Sequence, residues 1–321
     1  MQRTKESRKR LASEDVDQLW TTCEDTSENL TPDVDRDNRL ELETYSTARY
    51  FTNAKRSLVL ERFMLQSLAF TRAGLMDYYL RLPKTNNDRS LVLALLQLPG
   101  IDKVIEQTKD KCRIMARAIP ILTIMFTCAP WHNDNYLSVA DSVALLYEWC
   151  AWNSIDKKLL INCLRLVIKE RGGKVNSFYV EGPPNSGKTL LFQTPFKSAI
   201  PYWSQPMQIN STSQFVFCEI PNSRIICIDE AACDPSHLET LKLLMAGEPA
   251  DVNVKHNTAV RVSRTPVIIT TNNPPWFYKI QEEAAFRARM FGFNCKHWPR
   301  LSQTDVKNKQ IHPRMWYNLL Q

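Results

Sequence analysis

Apolar positions follow two rhythms along the chain, and the switch between them comes at Gly172. From Thr52 to Gly173 the spacing is helical, with Leu58, Leu65 and Leu68, and Phe63 and Met64 beside them, on one face of a long segment. Further helices are predicted over 91–98, 101–117, 138–152 and 156–171, punctuated by Pro83, Pro99, Gly100 and Pro130. Ser138 and Asp141 have the spacing of a capping box at the start of one of them. The most apolar run, residues 118–129 (AIPILTIMFTCA), is well short of the ~20 residues a spanning helix needs. It reads as a buried core helix or a strand pair.

Beyond Gly172 the rhythm shortens. Four of the eight glycines lie between Gly172 and Gly187, and short β-branched or aromatic runs follow. These are Ser177–Glu181 (SFYVE), 215–219 (FVFCE), 224–229 (RIICID) and 266–271 (PVIITT). Apolar runs of this length, separated by helical stretches, predict a parallel sheet covered on both faces. The fold class is therefore α/β: a parallel sheet with flanking helices, preceded by a helical amino-terminal part.

Charge sharpens this picture. The 321 residues carry a net charge of +7, unevenly spread: +4 over residues 1–10, −9 over 11–44, and +12 from residue 45 onward. A body this basic favours a polyanionic partner such as nucleic acid. Residues 1–45 hold too few apolar groups to offset the cost of ordering and predict a flexible charged tail. Within it KESRKR (5–10) is either a nuclear-import patch or a solvated basic end. The nine cysteines form no C-x-x-C pair and the first residues contain no apolar core. A reduced, soluble, intracellular chain with neither signal peptide nor membrane span is expected.

The chemistry lies in the second half. Gly182, Pro183, Pro184, Asn185, Ser186, Gly187, Lys188 and Thr189 fit G-x-x-x-x-G-K-[ST], directly after a predicted strand and before a helical run. Glycines let such a loop turn its backbone N–H groups toward phosphate oxygens. Lys188 is placed to neutralise β- and γ-phosphate charge, and the Thr189 hydroxyl to ligate Mg²⁺. The run 225–230 (IICIDE) is a buried strand ending in two acids, Asp229 for the Mg²⁺ shell and Glu230 to orient or deprotonate water. A third strand ends in Asn272 and Asn273, and Asn272 is a candidate to bond the γ-phosphate or the attacking water. Alternating valines around Lys255, His256, Asn257 and Thr258 predict a hairpin whose basic tip can grip a phosphate backbone. In the run 286–293 (FRARMFGF), Arg289 and then Arg287 are candidates to stabilise γ-phosphate charge across a subunit boundary.

These five elements, in this order, resemble a superfamily 3 helicase of small DNA viruses, over roughly residues 150–295. The Walker A run is GPPNSGKT, Walker B is RIICIDE, and the B′ region is LKLLMAGEPADVNVKHNTAVRV. Walker C is TPVIITTNN, and RARMFGF is similar to the arginine-finger region. The stretch with Asn210 and 215–217 is most similar to the large non-structural replication proteins of parvoviruses, densoviruses and bidnaviruses. The hairpin also resembles that of the papillomavirus initiator helicase.

The resemblance implies an AAA+-like ATP- and Mg²⁺-dependent domain that assembles as a homo-oligomeric ring, a hexamer, around single-stranded DNA and travels 3′ to 5′ in the host nucleus. It gives Lys255 and His256 a DNA-contact role. It divides the chain into a tail (1–45), a helical oligomerisation domain (46–150), the helicase ATPase domain (151–300) and a carboxyl-terminal tail (301–321). Parvoviral initiators usually also carry a nickase with a His-hydrophobe-His motif, yet no two of the five histidines here are two apart. No endonuclease is expected in this chain, and nicking or origin recognition is assigned to a separate protein. A packaging motor for single-stranded DNA, an ATP-regulated non-catalytic DNA-binding oligomer and a small-molecule kinase are the other readings weighed. Glu230, Asn272 and the arginines favour catalysis, and the basic hairpin disfavours the kinase.

Overall fold

The computed structural model describes residues 52–67, 72–82, 87–128, 136–255, 258–303, 306 and 309–321. The predicted charged tail, with its KESRKR run, lies outside these residues, as do His132 and His256. The described residues all fall in one compact unit.

Among the described residues seven helices come first: α1 (Asn53–Ser67), α2 (Arg72–Arg81), α3 (Asn87–Leu96), α4 (Ile101–Ala118), α5 (Ile121–Cys128), α6 (Val139–Trp152) and α7 (Lys157–Ile168). Their starts are written in side-chain chemistry. Asp156 accepts from the backbone N–H groups of Lys158 (2.8 Å) and Leu159 (3.4 Å) to cap α7. Ser138 caps α6, its Oγ accepting from the Asp141 N–H at 3.0 Å and donating to that carboxylate at 2.6 Å. The apolar run expected as helix or strand pair is the helix α5. In α1 the buried stripe is Leu60, Phe63 and Met64, whereas Leu58 is 48% exposed. Phe63 and Met64 of the predicted face are thus buried and Leu65 partly so, while Leu58 turns outward, because α4 packs along the Leu60–Met64 side.

The sheet follows, with β1 (Ser177–Glu181), α8 (Lys188–Phe192), α9 (Thr194–Ala199), β2 (Trp203–Ser204) and β3 (Ile225–Asp229). Next come α10 (Leu238–Ala246), β4 (Ala250–Val252), β5 (Val260–Val262), β6 (Val267–Thr271), α11 (Glu283–Arg287), β7 (Met290–Asn294) and α12 (Arg314–Leu320). Five strands pair in parallel in the order β2-β3-β6-β1-β7, and β4 and β5 form a separate antiparallel hairpin.

The period of two along each strand builds two cores. Phe178, Val180, Ile225 and Ile268 face α6, α7, α8, α9 and α12. Tyr179, Ile226, Ile228, Val267 and Ile269 face α10, the hairpin and Trp276. A sheet buried on both faces needs strands that are apolar throughout, which is what these runs supply.

One predicted strand is corrected. Residues 215–219 form turns, with i→i+3 bonds from the Cys218 N–H to the Phe215 carbonyl and from the Ile220 N–H to the Phe217 carbonyl. The successive residues Val216 and Phe217 both plug the same core, a packing that a pleated strand forbids to neighbours. The edge strand on this side is instead the two-residue β2.

The stretch expected as a carboxyl-terminal tail contains α12, which buries Met315, Trp316 and Leu320. Its Trp316 Nε1 donates to the Leu191 carbonyl at 2.7 Å, tying the chain's end to the helix after the glycine-rich loop. Arg165 on α7 donates to the carbonyls of Leu319 (2.7 Å) and Leu320 (3.2 Å). Trp316→Ala is expected to lower unfolding free energy by about 3–5 kcal/mol, through the cavity and the unpaired carbonyl it leaves. A urea titration showing a lower midpoint with an unchanged slope checks this; a midpoint equal to wild type contradicts it.

Candidate functional site

Strand order decides which side chains meet. Because β6 lies between β1 and β3, the carboxyl ends of all three open side by side. The loop 182–189 leaves β1, Asp229 and Glu230 leave β3, and Asn272 leaves β6. Crevices at the carboxyl ends of parallel strands are where such sheets bind ligands. Here Pro184, Asn185, Ser186, Gly187, Lys188, Thr189, Leu190, Asp229, Glu230, Asn272 and Leu301 line one cavity of about 280 Å³.

The loop owes its shape to close packing as much as to glycine. A Cβ on Gly182 would stand 2.4 Å from the Cys295 carbonyl oxygen, so the backbones can approach only if this residue is glycine. Gly187 has φ +84°, and a Cβ there would meet the Trp298 ring at 3.0 Å. Trp149 Nε1 donates to the Ser186 carbonyl at 2.7 Å, and the Trp298 N–H donates to the Asn185 carbonyl at 3.0 Å. Two tryptophans thus hold the loop from behind.

Lys188 is buried, and its Nζ donates to the carbonyls of Gly182 (2.8 Å) and Pro183 (2.9 Å), to Ser186 Oγ (2.9 Å) and to Asn272 Oδ1 (3.1 Å). Burial pushes its pKa below the usual lysine value, while Cys295, Glu230 and Asp229 act the other way. Asn272 turns its other end to Glu230, Nδ2 donating to Oε1. Glu230 itself sits in left-handed backbone (φ +59°), with its N–H on the Thr270 carbonyl at 3.2 Å. A non-glycine residue held there stores about 1–3 kcal/mol of strain, and such strain concentrates at functional sites.

Thr189 Oγ1 lies 3.3 Å from Asp229 Oδ1 and 3.2 Å from Thr270 Oγ1, and Thr270 Oγ1 donates to Asp229 at 2.9 Å. One carboxylate and one hydroxyl, open to the cavity, fit an ion that retains most of its water and takes phosphate oxygens, the habit of Mg²⁺. The buried amine of Lys188 beside the loop fits the phosphates themselves.

Not every predicted residue joins this cavity. Arg289 precedes Met290, which pairs with Ser177 at the far end of β1, about 13 Å along the strand from the loop. Its Nη1 donates to the Ala285 carbonyl. Arg287 donates through Nε to Glu283 at 2.6 Å. Neither lines the cavity of its own chain. Lys255 is exposed at the turn between β4 and β5, whose register pairs Ala250 with Val262 and Val252 with Val260, as the valine alternation predicts. Its neighbour His256 is outside the described residues.

Sequence reading missed Thr270 and Gln193. Gln193 is fully buried, and its Nε2 donates to the Ile228 carbonyl (2.7 Å) and to Thr270 Oγ1 (2.9 Å). The available signal was the pair of threonines ending an otherwise aliphatic strand (VIITT).

A fold of this kind, a parallel sheet with helices before and around it, is shared with solved helicases. The JCV helicase matches with a TM-score of 0.51 and 11% identity, covering 92% of this chain and 86% of that one. A further inhibitor-bound JCV helicase structure gives 0.50 at 12% identity over the same shares. At that identity the likeness concerns the fold alone.

The family follows from sequence. Residues 78–279 match the model for "Parvovirus non-structural protein NS1", and the chain belongs to that family. The initiator protein NS1 of Junonia coenia densovirus is 34% identical over 191 residues, 58% of this chain. That of Diatraea saccharalis densovirus is 34% identical over 155 residues, 48% of this chain. The NS1 of murine minute virus is 21% identical over 237 residues, 67% of this chain. The chain spans about a third of the length of these relatives: 34%, 27% and 34% of them in turn.

Thr270→Val keeps the shape of β6 while removing the hydroxyl shared by Asp229, Thr189 and Gln193. It is expected to lower unfolding free energy by about 1–2 kcal/mol. Urea midpoints check this, and an unchanged midpoint would show that the hydroxyl is not part of the network.

Proposed function

We propose that the chain is the motor part of a viral replication helicase, hydrolysing ATP with Mg²⁺ to separate DNA strands. The observation that carries this reading is the Asn272 bridge, which ties the phosphate-loop lysine to Glu230 at the mouth of one cavity. Lys188 would give up its bonds to the Gly182 and Pro183 carbonyls for phosphate oxygens. Asn272 would then be left to hold Glu230 and, with it, the attacking water. Thr189 and Asp229 would hold the metal, which supplies charge neutralisation at the phosphates when bound.

Among the described residues, Lys188 is the cation lining the cavity, against two carboxylates. The arginine expected by comparison with other phosphoryl-transfer sites stands at the opposite end of the sheet. A second copy must therefore supply it, Arg289 or Arg287 entering the cavity of the next subunit. Head-to-tail contacts of this kind generate a ring where the rotation between copies closes, and the hexameric ring belongs to this proposal. Travel 3′ to 5′ on single-stranded DNA, gripped by Lys255 and His256, belongs to this proposal, as does action in the host nucleus. The +12 charge of residues 45–321 supports a nucleic-acid track. No two histidines among these 321 residues are two apart, so the motor reading assigns them no nicking step.

The test uses mixed oligomers. A Lys188→Ala chain and an Arg287→Ala/Arg289→Ala chain are each expected to be inactive in ATP hydrolysis, and mixing them to restore turnover. Absence of recovery in properly assembled mixtures rules out the shared site. On a 3′-tailed duplex, Lys255→Ala is expected to hydrolyse ATP at the wild-type rate yet fail to unwind. Unimpaired unwinding would remove Lys255 from the track.

A further inference from the structure

The loop that leaves β6 at Asn272 runs directly into Trp276, a buried indole packed between β1 and α11. One face of Trp276 stacks on Tyr179 of β1, with ring centroids 6.1 Å apart and planes at 29°. Phe286 of α11 packs against it at 5.9 Å. The guanidinium of Arg287 lies over the same indole, 5.0 Å from the ring centroid. Behind the stack, the Tyr179 hydroxyl donates to Glu181 Oε2 at 2.7 Å, and Glu181 is the residue before Gly182. Burial first, and the bond to Glu181 second, push this phenol's pKa up, so it stays protonated and donating. The start of the segment is pinned as well, since Glu282 accepts from the buried Lys242 of α10 at 3.0 Å.

The two arginines are treated differently. Arg289 is half-buried in the turn after α11, with Nη1 on the Ala285 carbonyl of that helix. Arg287 has half of its side chain exposed yet is restrained twice, by Glu283 and by the Trp276 ring. An exposed ion pair contributes little to stability, and an unrestrained arginine keeps many rotamers. What the double restraint achieves is orientation: a planar cation held ready on an otherwise open surface.

We propose that Trp276 is a positioning residue, which with Tyr179 behind it presents Arg287, a second guanidinium beside Arg289, to the nucleotide site of an adjacent copy. This rests on the reading above, that an arginine crosses between copies. It adds a physical link within each chain: the loop carrying the site amide Asn272 also carries the indole that aims the arginine offered to the neighbour.

The mixed oligomers separate the two ideas. Acceptor chains carry Arg287→Ala/Arg289→Ala and donors carry Lys188→Ala, so turnover arises only where a donor arginine enters an acceptor cavity. Adding Trp276→Leu to the donor is expected to reduce recovered kcat about two- to fivefold with KM for ATP unchanged, the size of a lost cation–π contact. The same change in the acceptor is expected to cost less recovery than in the donor, and Trp276→Phe in the donor to restore most of it. Arg287→Lys in the donor is a surface change that leaves folding alone. It is expected to match the Trp276→Leu loss, with no further loss when the two are combined.

Equal losses in donor and acceptor, full recovery with donor Arg287→Lys, or additive losses overturn the positioning role while leaving the shared site standing. Failure of the unmodified donor to restore any turnover overturns both, because no arginine then crosses.

Discussion

A single amide holds the site together. Asn272 accepts from Lys188 with its oxygen and donates to Glu230 with its nitrogen. Those three groups lie beyond the carboxyl ends of three strands, which meet as they do because β6 is inserted between β1 and β3. Were β3 paired directly with β1, the acid and the amine would face each other and form an ion pair with nothing to adjust it. With a neutral amide between them, neither charge is fully spent on the other, and both remain available to a ligand. The depressed pKa of Lys188, driven by burial, and the left-handed backbone of Glu230 are the costs of that arrangement. Both are local, and the double-sided core of the sheet outweighs them.

The core reaches the site by an indirect route. Trp149 from α6 and Trp298 from the segment after β7 each bond a carbonyl of the glycine-rich loop, and Trp316 of α12 bonds Leu191 just beyond it. Two indole donors, Trp149 and Trp316, and the backbone N–H of Trp298, whose ring lies against Gly187, therefore hold the loop and the helix that follows it. Tyrosine and tryptophan serve this purpose because they combine a large apolar face with one directional donor. The helical region connects through the other edge of the sheet, where the Tyr202 hydroxyl donates to the Lys109 carbonyl and Arg224 Nη2 to the Ile119 carbonyl.

Local chemistry was readable from the chain; tertiary chemistry was not. The loop 182–189, the acids after β3 and the amide after β6 stand out because short motifs state their own backbone requirements. The cap at Ser138 and the alternating valines of the hairpin are legible for the same reason. The turn 215–219 misleads because a short apolar run has the same composition whether its residues alternate between two faces or crowd into one core. The tryptophan bonds behind the loop join residues 37 and 113 positions apart, so no spacing announces them. The run RARMFGF does not show how Arg287 and Arg289 differ in packing: Arg287 lies over Trp276, while Arg289 bonds the Ala285 carbonyl.

The central claim is that this cavity binds a nucleoside triphosphate through Lys188. Calorimetric titration of the purified chain with a slowly hydrolysed ATP analogue and Mg²⁺ addresses it most directly. One site per chain is predicted, with binding lost in the folded Lys188→Ala protein and weakened when Mg²⁺ is withheld. Equal affinity in wild type and Lys188→Ala, or no binding by correctly folded wild type, would contradict it.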